Sequence, residues 1–334
     1  MVKTEQIRLD EQHVPFTNSR EEAPPIRHML SLADLGASEL ARLVDRSIKF
    51  AAARGAGPKP LTDKVVGIYF RKPSTRTRSS FTVGAMKLGA RTIAYGPEDL
   101  QLVTGETIED TARVLSSYLD ALVIRTNGSI AEMRALADQS EMAVINAMSE
   151  NEHPTQAIAD LATIKERFGR LADIHVLYLG EGNNTATALA LAVAQTPGMK
   201  VTFVTPEGYG LSEPFLEQAR QLADRYGAMI RHRHSMDEPP RNVDAVYTTR
   251  WQTMGEPHAD TNWRERFWPY SVTPGVMAEV SKPGTVFLHD LPAVRGEDVD
   301  SSVLDGPQSL AWRQARHKMF GAMAVLEWCL GAGA

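Results

Sequence analysis

Apolar residues fall in short unbroken runs along the chain, and the longer stretches between them repeat with helical period. The runs VVGIYF (65–70), DALVIRT (120–126), AVINA (143–147), IHVLYL (174–179), KVTFVT (200–205), DAVYTT (244–249) and GTVFLH (284–289) do not alternate and are rich in β-branched residues. Such runs suit strands covered on both faces, and 91–95 adds a further strand. Between them, Leu40, Leu43, Val44, Ile48 and Ala51 recur at helical spacing, and Thr107 is placed to cap the helix that follows it. Further helices are expected over 129–139, from Pro154, after 183, and within PFLEQARQLADRYG and TPGVMAEV. A last helix runs over about 309–330, with Leu310, Met319, Met323, Leu326 and Leu330 apolar. Strand alternating with helix predicts α/β architecture with parallel sheets.

The pattern restarts after Gly169, and 334 residues suit two domains. The expected layout is two doubly wound parallel-sheet domains, 29–168 and 169–308. A polar, proline-containing arm (1–28) precedes them. A C-terminal helix in 309–334 follows.

The most informative stretch is 65–90, VVGIYFRKPSTRTRSSFTVGAMKLGA. It reads as a buried strand, a turn at Pro73, and a helix with Ser74 or Thr75 at its cap. The first turn of a helix carries unpaired N–H groups and the positive end of the dipole. Here the hydroxyls of Ser74, Thr75 and Thr77 and the Arg76 guanidinium gather at that turn, a set that matches phosphate oxygens. By residue chemistry alone the stretch fits a phosphate site or an ordinary capped helix with solvated arginines.

Ligands of open α/β sheets bind outside the carboxyl ends of the strands. Arg125, Asn183, Asn184, Arg250 and His289 all follow or end a strand run. In His153-Pro154-Thr155-Gln156, Pro154 fits the first helical position. That leaves His153 and Gln156 as donors at a helix mouth, or as an incidental histidine beside a capped helix. Gln101, in the loop GPEDLQLVTG, reads on its own as an exposed turn residue. Gly180 and Gly182 start a dinucleotide fingerprint, but Thr185 stands where the third glycine belongs and no acidic residue ends the next strand. A nicotinamide-dependent dehydrogenase is therefore a weak reading.

Composition narrows the classes. The chain is 43% hydrophobic and 23% charged, as globular proteins are, and its net charge of −5 gives no electrostatic case for nucleic acid or an anionic membrane. One cysteine, Cys329, excludes an intrachain disulfide and fits a reducing cytoplasm. No apolar run is long enough to span a membrane, and the first residues lack the apolar core of a signal peptide. His232 and His234 have no adjacent Cys or carboxylate, so no metal is expected there. No nucleophile has an adjacent base. The implied chemistry is transfer by positioning and electrostatics.

Three motifs in order, Ser-Thr-Arg-Thr-Arg (74–78), His-Pro-Thr-Gln (153–156) and His-Asp-Leu-Pro (289–292), resemble the aspartate/ornithine carbamoyltransferase family over residues 30–330. The resemblance implies a first domain for carbamoyl phosphate and a second for the amino substrate. It implies a phosphate cradle of Ser74, Thr75, Arg76 and Thr77. Arg125 would contact phosphate and carbonyl, and His153 and Gln156 the carbamoyl group. It also implies a trimer with shared active sites, in which Gln101 reaches a neighbour, a late phosphate arginine near Arg316, and no cofactor. On the acceptor side it implies Asn183, Asn184, Thr249, Arg250, Gln252, Thr253, Met254, His289, Asp290 and Leu291.

That side departs from both main branches. Thr249 replaces the ornithine branch's aspartate, Asp290 its cysteine, and Thr104 the aspartate branch's lysine, while Arg250 and Gln252 follow the aspartate branch. The expectation is a carbamoyltransferase of divergent acceptor, with ornithine carbamoyltransferase proper as the alternative and a non-catalytic carbamoyl phosphate-binding protein as a third reading.

Overall fold

The computed structural model describes residues 26–138, 141–252 and 258–331. The first sheet has strands β1 (Val65–Phe70), β2 (Arg91–Tyr95), β3 (Ala121–Arg125) and β4 (Ala143–Met148), in the order β2-β1-β3-β4. The second has β5 (His175–Leu179), β6 (Lys200–Val204), β7 (Met229–Arg233), β8 (Val243–Thr248) and β9 (Ser281–His289), in the order β7-β6-β5-β8-β9. Every pairing is parallel. The central strands are buried on both faces, as their unbroken apolar runs require.

The helices of the first half are α1 (Ala37–Ala52), α2 (Thr75–Lys87), α3 (Ile108–Ser116), α4 (Ile130–Asp138) and α5 (Pro154–Phe168). Those of the second are α6 (Asn184–Ala194), α7 (Glu213–Tyr226), α8 (Trp263–Phe267), α9 (Pro274–Val280) and α10 (Ser301–Leu304). The last helix, α11 (Ala311–Cys329), crosses back to pack on α1, α2 and α5 and also touches β9. One core cluster runs through both halves by way of α5, α6 and α11, which fixes the two sheets against each other.

Each sheet reverses its winding once, between β1 and β3 in the first and between β5 and β8 in the second. Ligands of doubly wound sheets bind at such reversals. Here the two reversals open into one cavity.

Candidate active site

The first-domain wall is made at the tips of β1, β3 and β4. Ser74 occupies the N-cap position of α2 with extended backbone, yet its side chain makes no cap hydrogen bond. It lines the cavity with Arg76 and Thr77. Arg125, the last residue of β3, is 7% exposed and donates from an Nη to the Thr77 hydroxyl at 3.3 Å. The Nε groups of Arg76 and Arg125 are buried with no protein partner among the described residues. Unpaired guanidinium donors in a wall are suited to an anion. Burial lowers the Arg76 pKa, and it pushes Arg125 down to about 10 with the Arg76 charge adding to it. Both remain cationic at neutral pH.

His153 sits at the mouth of α5, with Pro154 in the first turn. Its N–H donates to the Asn184 carbonyl at 3.2 Å, and Asn184 Nδ2 donates to the Ser149 carbonyl at 3.1 Å, so α5 and α6 enter the cavity together. Burial, then the Lys318 and Arg125 charges, hold the imidazole well below its ordinary pKa. The ring is neutral, as an uncharged donor to a carbonyl oxygen must be.

The opposite wall comes from the second domain. Gly180 has φ +113°, and a Cβ on Gly182 would lie 2.3 Å from the Gly210–Leu211 backbone. Both glycines are therefore required by the turn itself. Asn183 caps α6, its Oδ1 accepting from the Thr185 and Ala186 N–H groups at 3.0 and 3.3 Å. Thr185, where a dinucleotide site has its third glycine, donates its hydroxyl to Asp290 at 2.9 Å. Thr249, just past β8, donates to the other Asp290 oxygen at 3.0 Å. Arg250 and Gln252 line the cavity beside them. They flank Trp251, which is anchored in an aromatic cluster with Trp263 and Phe267.

Beneath the cavity, Asp160 of α5 is fully buried. It accepts from Gln156 Nε2 and Gln314 Nε2, each at 2.7 Å, and from the Tyr247 hydroxyl at 3.0 Å. Gln314 Oε1 in turn accepts from the His289 N–H at 2.8 Å. Burial outweighs these bonds and pushes the Asp160 carboxyl up to about 7. One turn along α11 from Gln314, Lys318 reaches the cavity and donates to Gln156 Oε1. Burial lowers its ammonium to about 8. The finished cavity is open to solvent, with cations on both walls.

The description "Aspartate/ornithine carbamoyltransferase, carbamoyl-P binding domain" fits residues 27–166, and the same family's "Asp/Orn binding domain" fits 172–329. The chain belongs to the aspartate/ornithine carbamoyltransferase family. Ornithine carbamoyltransferase of Caldicellulosiruptor saccharolyticus is 39% identical over 309 residues, covering 92% of this chain and 99% of that one. The enzyme of Methanothermobacter thermautotrophicus is 38% identical over 306 residues, covering 92% and 99%. The solved ornithine carbamoyltransferase of Pyrococcus furiosus superposes with TM-score 0.86 at 35% identity, covering 93% and 99%. This chain is a carbamoyltransferase, and the dehydrogenase and non-catalytic readings fall away.

Most of the residues singled out in the sequence meet in the carbamoyltransferase cavity: Ser74, Arg76, Thr77, Arg125, His153, Asn183, Asn184, Thr249, Arg250, Gln252, Asp290 and Leu291 line it. Five do not. Thr75 is exposed at the start of α2 and lies outside the wall. Gln156 is fully buried one layer behind, its amide engaged by Asp160 and Lys318. His289 is likewise buried, its Nδ1 accepting from the Leu291 N–H at 2.8 Å. Gln101 is exposed in a 3₁₀ turn; its side chain accepts from the Thr104 hydroxyl and its carbonyl from Thr104 and Glu106, all within the loop.

Arg316 is the clearest correction. Its guanidinium lies over the Phe320 ring, 5.5 Å from the centroid, and borders a separate surface pocket with Glu166 and Trp312. Two residues turn an α-helix by about 200°, so Lys318, not Arg316, faces the cavity from α11. Thr253 and Met254 lie outside the described residues. Sequence reading missed Lys318, Thr185 and the Asp160–Gln314 support. The available signal was the i, i+4 spacing that puts Gln314 and Lys318 on one face of α11.

Proposed function

We propose that the enzyme transfers the carbamoyl group of carbamoyl phosphate to the side-chain amine of a diamino acid, with ornithine the first candidate, and releases phosphate. The observation that carries this is the junction of two unlike walls in one cavity. One is a cationic cradle at the mouth of a helix, and the other holds an arginine and a carboxylate. The relatives' names favour ornithine over the divergent acceptor that the loop residues suggested. The two departures from the ornithine branch are also joined: the Thr249 hydroxyl bonds the Asp290 carboxylate. The negative charge absent at 249 is present on the neighbouring strand tip.

In this reading residues 29–168 bind carbamoyl phosphate and 169–308 the acceptor, with 309–334 joining them. Ser74, Thr77, Arg76 and Lys318 take the phosphate. Arg125 and the neutral His153 donate to the carbamoyl oxygen, and Gln156 acts through Lys318. The amine lone pair attacks the carbamoyl carbon, and the oxyanion faces donors already in place. The C–O bond to phosphate then breaks, the leaving charge is met by the cradle, and the proton shed by the attacking nitrogen goes to the departing phosphate. Arg250, Gln252 and the Asn183–Asn184 turn receive the acceptor's carboxylate.

The working form in this reading is a cytoplasmic homotrimer in which Gln101 completes a neighbour's site. Support comes from exposed apolar side chains of the first domain, one of them on the edge strand β2. Met86 is 60% exposed, Val103 59% and Tyr118 68%, and Ile93 lies on the strand itself. Exposed apolar side chains of this kind suit a subunit contact. Among the described residues no helix is long and apolar enough to cross a membrane. The function is tested by acceptor-dependent phosphate release from carbamoyl phosphate across diamino acids of two to five side-chain atoms. Release with none of them would overturn it.

A further inference from the structure

Asp290 is the one carboxylate among the residues lining the cavity, which it shares with Arg76, Arg125, Arg250 and Lys318. A carboxylate among four cations would ordinarily pair with one of them. Among the described residues it pairs with none. Arg295, the nearest arginine in sequence, is held in a two-bond pair with Asp305 at 2.5 and 2.9 Å. His289 Nδ1 lies 3.5 Å from Asp290, but that nitrogen accepts from the Leu291 N–H and so carries no proton to share. The partners Asp290 does have are two neutral hydroxyls, one on each oxygen, from Thr185 and Thr249. Each oxygen keeps lone-pair capacity beyond that bond, and the side chain is 14% exposed at the cavity wall. The carboxylate is clamped in orientation and, among the described residues, left without a direct ion pair to an arginine or lysine.

We infer that Asp290, clamped between Thr185 and Thr249, takes the reacting ammonium end of the acceptor and is the residue that selects for a positive nitrogen there. Its place favours the reacting end over the α-ammonium. The Asp290 charge is felt by Arg76, Arg125 and Lys318, so it stands at the border of the carbamoyl phosphate cradle. Arg250 and the Asn183 turn are left for the other end of the molecule. Asp290 binds and positions the nitrogen, which must still lose a proton before it attacks.

This inference rests on the proposed carbamoyl transfer, so the experiment first identifies the best diamino acid acceptor by phosphate release from wild type. Absence of any acceptor would overturn that transfer rather than the role of Asp290. Two stripped analogues of the best acceptor are then titrated by calorimetry in the presence of inorganic phosphate, where no turnover occurs. One keeps the ω-ammonium without the α-ammonium, and the other keeps only the α-ammonium. For Asp290→Asn, affinity for the ω-amino analogue should fall about 10- to 100-fold, the range for losing a hydrogen bond to a charged group. The α-amino analogue and inorganic phosphate should change less than about threefold, which also reports an intact fold. Asp290→Ser serves as the second variant, with the same pattern expected. Loss confined to the α-amino analogue, or equal loss for both with phosphate binding intact, would overturn the assignment.

Discussion

Lys318 gives the sharpest quantitative prediction, because its charge is conditional. Its Nζ donates to Gln156 Oε1 and faces a cavity that already holds Arg76 and Arg125. Burial brings its pKa down from 10.5 to about 8, Asp290 opposing and the two arginines adding. Anion binding requires the charged form. In the free enzyme that form is complete below about 8 and is lost as pH rises through it. Affinity for carbamoyl phosphate should therefore be level from pH 6.5 to 8 and then weaken about tenfold per unit. A charge-assisted hydrogen bond contributes about 1.5–3 kcal/mol, so the total loss should level off at about 10- to 150-fold. The assay is calorimetric titration with the methylene-bridged isostere of carbamoyl phosphate, without acceptor, between pH 6.5 and 9, below the range in which Arg125 loses its charge. Lys318→Arg should bind with a flat profile, since a guanidinium stays charged. Lys318→Met should be weak and flat throughout. A wild-type profile level to pH 9, or a Met variant that falls in parallel with wild type, would refute the role.

Three further outcomes are expected. Arg76→Ala should lower kcat by about 10² to 10³ and weaken the isostere while circular dichroism stays native; wild-type affinity would contradict its place in the cradle. Mixed Gln101→Ala and Arg76→Ala subunits, each inactive alone, should recover activity after exchange, because a hybrid forms some sites with neither defect; no recovery despite proven exchange would count against shared sites. Asp160 and Glu152 are both held at about 7 in the fold by burial, above the roughly 4 of an exposed carboxyl. The folded chain binds more protons between those values, so stability should fall as pH rises from about 4 to 7. In Asp160→Asn the slope of urea midpoint against pH should flatten, and an unchanged slope would show that Asp160 does not titrate there.

The parts of the fold that local rules specify were legible. Unbroken apolar runs gave parallel strands, Pro154 marked the start of α5, and Thr107 caps α3 with its hydroxyl accepting from the Asp110 N–H at 3.1 Å. The cradle was legible because its side chains are adjacent in sequence. What depends on helix phase was not. From Phe320 on, α11 is buried nearly all round, while its first turns bury Gln314, His317 and Lys318 and expose Trp312, Arg313 and Arg316; polar residues stand on both sides of those turns, so polarity alone did not rank Arg316 against Lys318. Partners far apart in the chain were equally hidden. Thr185 looked like a defective glycine fingerprint until Asp290, 105 positions away, was found on its hydroxyl. Val83 and Met86, apolar residues of α2, are 40% and 60% exposed, because that helix turns Phe81, Gly84 and Ala85 inward instead.

The most direct test of carbamoyl transfer to a diamino acid is a single balanced assay with purified enzyme, isotopically labelled carbamoyl phosphate and ornithine. Phosphate is counted by colorimetry and the amino product by mass spectrometry. Equal amounts of phosphate and of ornithine carrying one labelled carbamoyl group are expected, with the label on the side-chain nitrogen. Phosphate release that does not depend on an amine, or an unlabelled acceptor after phosphate has been released, would contradict it.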